Sequence, residues 1–189
     1  MNAMLDLLLT RRSVPAQMLA APGPSADELR TLLTIASRVP DHGKLAPWRF
    51  IVFEGEARVE AGRRLGEIVV ERRPEISEAR LEEERRRFSM APLVVAVVGR
   101  AAEHPKIPVI EQIYSAGAVC LNLEIAAHAM GYAACWLTDW PAYDADARAA
   151  LGLAEKETLV GLIHIGTPTI TPTDRPRPAL EDIVSRFGD

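Results

Sequence analysis

Cysteine is nearly absent. The 189 residues hold two, Cys120 and Cys135, each in apolar surroundings (Ala-Val-Cys-Leu and Ala-Ala-Cys-Trp) where a reduced thiol behaves as a small hydrophobe. No disulfide framework is indicated. Basic residues are not in excess either: 22 Lys and Arg against 26 Asp and Glu give a formal charge of −4. No cation surplus is left to neutralise a nucleic-acid backbone, so no nucleic-acid partner is expected. Long hydrophobic runs are missing too. The longest candidate, Val109 to Met130, is interrupted by Glu111, Gln112, Asn122, Glu124 and His128, whereas a bilayer span takes about 20 mainly apolar residues. Membrane insertion is therefore not expected. The opening Met-Asn-Ala-Met-Leu-Asp runs straight to Arg11 and Arg12 with no small-residue cleavage site, unlike a secretory leader. With reduced thiols, this implies a cytoplasmic setting.

Several chemistries lack their residues. No strand is followed by a glycine-rich loop opening a helix, so neither a dinucleotide fingerprint nor a P-loop is present. His42, His104, His128 and His164 show no i,i+4 pairing, no acid at ligand spacing and no Cys partner, and no metal site is expected. Ser13, Ser37, Ser89 and Ser115 lack the glycine-flanked elbow of a serine hydrolase.

What is present reads as helices alternating with buried strands in one domain spanning 1–189. Met4 to Leu9 form a short apolar helix that ends before Ser13-Val14-Pro15, because Pro15 disfavours helical geometry at Val14. Ser25-Ala26-Asp27-Glu28 is a capping box opening a helix near Ala26, which stops around Arg38 before the turn residues Pro40, Asp41 and Gly43. Arg49 to Glu54 and the wholly apolar Leu93 to Val98 are strands covered on both faces. Ala57 to Arg87 between them is helical, broken at Pro74, and its second half reads as a solvated charged face with i,i+4 pairs Arg80–Glu84, Glu82–Arg86 and Glu83–Arg87. A helix of about 33 Å runs from Pro108 to Met130 with Gly131 past its end. Its apolar positions surround much of it, so it must be widely buried, and a second subunit is one surface that could cover it. Tyr132 to Leu137 is a third strand, Asp144 to Leu151 a short helix stopped by Gly152, and Thr158 to Ile165 a fourth strand. Residues 169–189 hold Pro172, Pro176 and Pro178 and read as an extended arm. Its Leu180, Ile183, Val184 and Phe187 call for docking, expected on a partner subunit.

The remaining constellation is Arg11-Arg12-Ser13 at the first helix exit and Arg38-Val39-Pro40-Asp41-His42 after the second helix. Two guanidiniums beside a hydroxyl can hold a phosphate by charge-assisted, bidentate bonds. They would have to supply the charge, since a helix exit has the wrong dipole sign for an anion. From this fragment alone the plainer role, cations complementing the helix C-terminus, is the better supported.

These segments, with Pro47-Trp48-Arg49-Phe50, Ser115-Ala116-Gly117, Trp136-Leu137-Thr138 and Val160-Gly161-Leu162-Ile163-His164-Ile165-Gly166-Thr167-Pro168, follow an order and spacing in which the chain resembles the FMN-dependent nitroreductase family, most closely its minimal YdjA-like bacterial members. The resemblance spans almost the whole chain. It implies an α+β fold in three αβα layers, a central mixed sheet flanked by helices, and an intertwined homodimer with two FMN molecules at the subunit interface. It also implies that Arg11, Arg12 and Ser13 hold the flavin phosphate and ring edge from one subunit. Arg38 and His42 would reach the same flavin from the other, Trp136, Leu137 and Thr138 would complete the pocket, and Ala126, Ala127, His128, Ala129, Met130 and Gly131 would contact the nicotinamide. Two positions depart from the family pattern: Ala46 stands before Pro-Trp where a polar residue is common, and Leu137 follows the pocket Trp where Arg is common. Arg175 and Arg177 read as part of a solvated arm, Trp48 as a packing residue, His164 as a core histidine, and Trp136 as either core or flavin wall.

The implied function is an NAD(P)H oxidoreductase reducing nitroaromatic, quinone or similar electron-poor acceptors by ping-pong hydride transfer, with the chemistry on the flavin and no catalytic side chain. The alternatives are a flavin-binding module without turnover, or dehydrogenation or dehalogenation on the same scaffold.

Overall fold

The computed structural model describes residues 2–188. At its centre four strands lie side by side: β2 (Trp48–Glu54), β3 (Leu93–Gly99), β5 (Thr158–Pro168) and β4 (Ala133–Leu137), while the two-residue β1 (Leu19–Ala20) pairs with the far end of β5. Strand β3 explains why the sheet is central. Its alternate side chains enter two different cores: Leu93, Val95 and Val97 on one face, Val94, Ala96 and Val98 on the other. A strand covered on both sides needs a continuous apolar run, which Leu93 to Val98 supplies. Each fully buried side chain of this kind is worth roughly 1.5–3 kcal/mol over leaving it in water.

The first face is covered by α2 (Ala26–Ala36) and α5 (Val109–Ala129), through Leu32, Ala36, Ala116, Val119, Cys120 and Leu123. The second is covered by α3 (Glu56–Arg72) and α6 (Ala145–Ala150), through Ala61, Leu65 and Ala147, with Phe88 edge-on to Phe53 at 4.8 Å between ring centres. The fold is α+β in three layers, as expected. Local signals set most boundaries. The Ser25 hydroxyl accepts from the Glu28 amide while the Glu28 carboxylate accepts from the Ser25 amide, satisfying two donors that a helix start leaves open. Asp144 caps α6 through the Ala147 amide, and Gly131 and Gly152 adopt φ of 87° and 89° just past α5 and α6, a region open to glycine.

The structure departs from expectation in four places. Among the described residues every strand pairing is antiparallel, not mixed. The reason is the connection between β2 and β3, which is two helices, α3 and α4 (Glu78–Arg85). An antiparallel helix pair returns the chain to the end it left, so β3 must run against β2, whereas a single crossover helix would have made it parallel. Among the described residues there are five strands rather than four, because β1 has no apolar run of its own. Strand β5 extends three residues past Ile165 to pair with it. Lastly, the charged helix is not solvated throughout. Arg87 and Glu84 form a largely buried pair, and Arg87 also reaches Asp139, just beyond β4. Arg80 and Arg87 take partners three residues away rather than four.

Helix α1 (Ala3–Thr10) buries no residue, and Met4, Leu5, Leu8 and Leu9 are all exposed. Residues after Ile170 run extended to a single turn, α7 (Leu180–Ile183), with Leu180, Ile183, Val184 and Phe187 open to solvent. Among the described residues no helix is long and apolar enough to cross a membrane.

Candidate functional site

The chain leaves α1 at Arg11, whose amide still bonds the Leu7 carbonyl at 2.8 Å. Two residues later it is tied to the sheet, because the Val14 amide donates to the Ala134 carbonyl of β4 at 3.1 Å and the Val14 side chain is buried. Arg11, Arg12 and Ser13 therefore lie in a short, doubly anchored span beside the start of β4. The Ser13 hydroxyl lies 3.4 Å from Oε1 of Glu124, a buried carboxylate of α5. Arg12 donates to the Thr173 carbonyl of the arm and lies 3.4 Å from Asp174. Arg11 differs from both: its Nη1 is buried without a hydrogen-bond partner among the described residues. A guanidinium keeps its charge under all ordinary conditions, and leaving one of its donors dry and unpaired is costly. An anion at this place would remove that cost.

Strand β4 leads from the anchor at Ala134 to Trp136, Leu137 and Thr138, about 7 to 13 Å further along at the standard strand rise. Trp136 stays partly exposed, its indole N–H donating to the Val160 carbonyl at 3.2 Å. The ring lies over Gly161, where an added Cβ would fall 2.2 Å from the indole nitrogen. The glycine is thus a seat for the tryptophan. After Thr138 the backbone turns through Asp139 at φ 49°. Burial alone would raise the Asp139 carboxyl, but the Trp140 amide and the Arg87 guanidinium overcome it and hold the group below its ordinary range. The turn ending β4 is fixed by the charge of Arg87, two residues past the end of α4.

Arg38 and His42 stand elsewhere. Asn122 of α5 donates to the Ile35 carbonyl at 2.6 Å and approaches that of Arg38 at 3.4 Å. The Ser115 hydroxyl donates to the Pro40 carbonyl. The Asp41 carboxylate gathers the Leu45 and Ala46 amides, steadying a loop in which Lys44 and Ala46 take φ of 56° and 44°. Beside them His42 Nδ1 is 2.6 Å from Glu111. Glu111 and Glu124 are about 20 Å apart along α5, and Asn122 and Glu124 point about 200° apart around it. One chain therefore ties the span Arg11 to Ser13 to β4, the strand that carries Trp136 and Leu137 and leads to Thr138, but holds Arg38 and His42 on the opposite flank of α5.

The segment expected to meet a nicotinamide is divided. The methyl groups of Ala126 and Ala127 are buried in the core, Ala129 and Gly131 are exposed, and both ring nitrogens of His128 face backbone carbonyls. His164 is a core residue as expected, its ring nitrogens 3.4 and 3.3 Å from the Leu162 and Arg87 carbonyls, and burial lowers its basicity. Burial, then the Glu124 charge, pushes the Cys120 and Cys135 thiols up. Sequence reasoning passed over Glu124, Gly161 and the Arg87–Asp139 contact. An acid in the middle of an otherwise apolar helix was the available signal for the first. A cavity of about 540 Å³ between α3 and the turn after β4, lined by Ile68, Val69, Arg72, Arg73, Trp140, Tyr143 and Asp144, contains none of the expected residues.

Residues 8–167 match the sequence profile of the Nitroreductase family. The chain is 34% identical over 170 residues to the Escherichia coli K12 protein named "Putative NAD(P)H nitroreductase YdjA", covering 88% of each. It is 35% identical over 164 residues to a similarly named Haemophilus influenzae protein, covering 86% of this chain and 87% of that one. Among solved structures, the nitroreductase-like family protein of Bacillus cereus superposes with a TM-score of 0.83 at 20% identity, covering 100% of this chain and 98% of that one. A Bacteroides fragilis nitroreductase with bound FMN superposes at 0.70 and 19% identity, covering 99% and 100%.

Proposed function

Because the chain belongs to the nitroreductase family, we propose that it is an FMN-dependent NAD(P)H oxidoreductase that works as a homodimer and reduces nitroaromatic, quinone or similar electron-poor acceptors. The observation that carries the flavin assignment is the buried Nη1 of Arg11, without a hydrogen-bond partner among the described residues, two residues before Ser13 in a span tied to β4, the strand that carries Trp136. A phosphate monoester with a flat apolar ring fits this set: guanidinium and hydroxyl for the phosphate, indole and aliphatic surface for the ring. When bound, FMN would supply the hydride-accepting centre, receiving two electrons from NADPH or NADH and passing them to an acceptor that takes the nicotinamide's place.

The chain's own residues bind and orient. Arg11, Arg12 and Ser13 hold the phosphate and ring edge, and Trp136, Leu137 and Thr138 wall the ring. Residues 126–131 provide the nicotinamide side through the surface of Ala129, Met130 and Gly131. No side chain is assigned as nucleophile or general acid.

Arg38 and His42 come from the second subunit. Ile110, Ile113, Tyr114 and Leu121 are exposed on α5, and with Gly117 they recur at the 3, 1, 3 and 4 residue steps of a single helical stripe. A Cβ on Gly117 would meet nothing, leaving room for a close neighbour. Helix α1 adds an apolar face with no cover in the chain, as does the arm at 169–189. A contiguous apolar surface of this kind marks an interaction site. One turn beyond Leu121 the same flank of α5 is covered by Ser13, so a partner seated on the stripe abuts the Arg11–Ser13 span.

Purification tests the reading. The protein is expected to be yellow, to bleach without oxygen on addition of NADPH or NADH, and to recover its colour with a nitroaromatic or quinone. A protein that takes up FMN but responds to neither nicotinamide is a binding module. One that takes up no FMN refutes the assignment.

A further inference from the structure

His128 follows Glu124 by one turn of α5. Its Nδ1 lies 2.7 Å from the Glu124 carbonyl oxygen and its Nε2 lies 3.0 Å from the Arg12 carbonyl oxygen. Carbonyl oxygens only accept, and a neutral imidazole carries one N–H. A neutral ring therefore makes one of these bonds and turns a lone pair toward the other oxygen. A ring with both protons makes both. One turn earlier the Glu124 carboxylate meets the Ser13 hydroxyl. Two side chains of one helix thus hold two consecutive residues of the span that leaves α1, between its fixed ends at Arg11 and Val14.

We propose that His128 is a positioning residue for the phosphate-binding span: by gripping the Arg12 carbonyl it sets the backbone from which the Arg11 guanidinium and Ser13 hydroxyl are presented. The inference rests on the reading that residues 11–13 bind the FMN phosphate. The ring contacts only the Glu124 and Arg12 carbonyls among hydrogen-bonding groups of the described residues, and Arg12 is held from its other side by Thr173 and Asp174 of the arm.

The test measures FMN affinity by flavin fluorescence for the wild type, His128→Leu and His128→Gln. His128→Leu is expected to weaken FMN binding about tenfold, the upper end of what one hydrogen bond contributes. Gln, which keeps one donor for the Arg12 carbonyl, recovers part of the loss. Equal affinities across all three proteins overturn the positioning role while leaving the flavin reading intact. A second readout needs no ligand: hydrogen exchange at the Val14 amide of the free protein is expected to quicken about tenfold in His128→Leu. Unchanged exchange, with or without FMN binding, overturns the proposal.

Discussion

Replacing Gly161 by Ala adds one methyl group at the place where Trp136 rests. The new carbon would lie 2.2 Å from the indole nitrogen and 2.6 Å from Cδ1, far inside contact distance, so the ring has to swing out. In doing so it gives up the bond from its N–H to the Val160 carbonyl, worth about 0.5–1.5 kcal/mol. Crowding a packed position adds about 1–3 kcal/mol, taken here near its lower end because the ring borders solvent and can yield. The total is about 2 kcal/mol, or a fall in Tm of about 4–8 °C for a domain of this size. In a Trp136→Ala background the clash is gone, and the same substitution should be neutral or stabilising by up to about 1 kcal/mol, as Gly to Ala is where the backbone permits it. Urea unfolding of the four proteins gives the coupling, expected at about 2 kcal/mol. FMN retention should fall in Gly161→Ala along with stability, since the displaced ring is the proposed flavin wall. Equal cost in both backgrounds would refute the seat.

A second glycine separates close packing from mere proximity. A Cβ on Gly62 would fall 1.8 Å from the Arg85 backbone carbonyl, whereas one on Gly66 meets side chains, that of Arg85 at 3.0 Å and that of Leu81 at 3.4 Å. Gly62→Ala is therefore expected to cost about 3 kcal/mol or more by forcing α3 from α4, and Gly66→Ala under about 1 kcal/mol, both measurable by urea unfolding. Glu157 binds Arg49 through both oxygens, at 2.7 and 2.6 Å, and this contact holds its carboxyl at about 2 against an ordinary 4.5. A depressed folded value stabilises above the unfolded one and is lost as pH falls. Glu157→Gln should thus cost about 1 kcal/mol near neutrality, discounted for solvent screening, and the gap should close between about pH 4.5 and pH 2; a gap that persists there would contradict the pairing.

What could be read from the sequence was whatever local chemistry decides. The Ser25–Glu28 box, the run Leu93 to Val98, Gly131 and Gly152 each act within a few residues, and each appears where its chemistry requires. Strand direction is a different matter, since it depends on whether α3 and α4 form one crossover or a returning pair, and a break at Pro74 is compatible with both. Arg87 was misread because its partner Asp139 lies 52 residues away, beyond any helical spacing rule. Strand β1 is two residues long and exists only because β5 continues past Ile165. For the site, Arg11 to Ser13 stood out by residue type and Trp136 to Thr138 by the family resemblance, and one bond, Val14 to Ala134, ties the first span to the strand that leads to the second. That Arg38 and His42 sit on the opposite flank of α5 required three dimensions.

In the proposed homodimer each site draws on two chains. Co-expression of Arg11→Ala with the double variant Arg38→Ala and His42→Ala, each carrying a different affinity tag, allows mixed dimers to be isolated by two successive captures. Each variant alone should lose FMN. In the mixed dimer one site carries all three changes and the other carries none, so about one FMN per dimer is expected. Mixed dimers as empty as the single-variant proteins, or the absence of any dimer, would contradict the account.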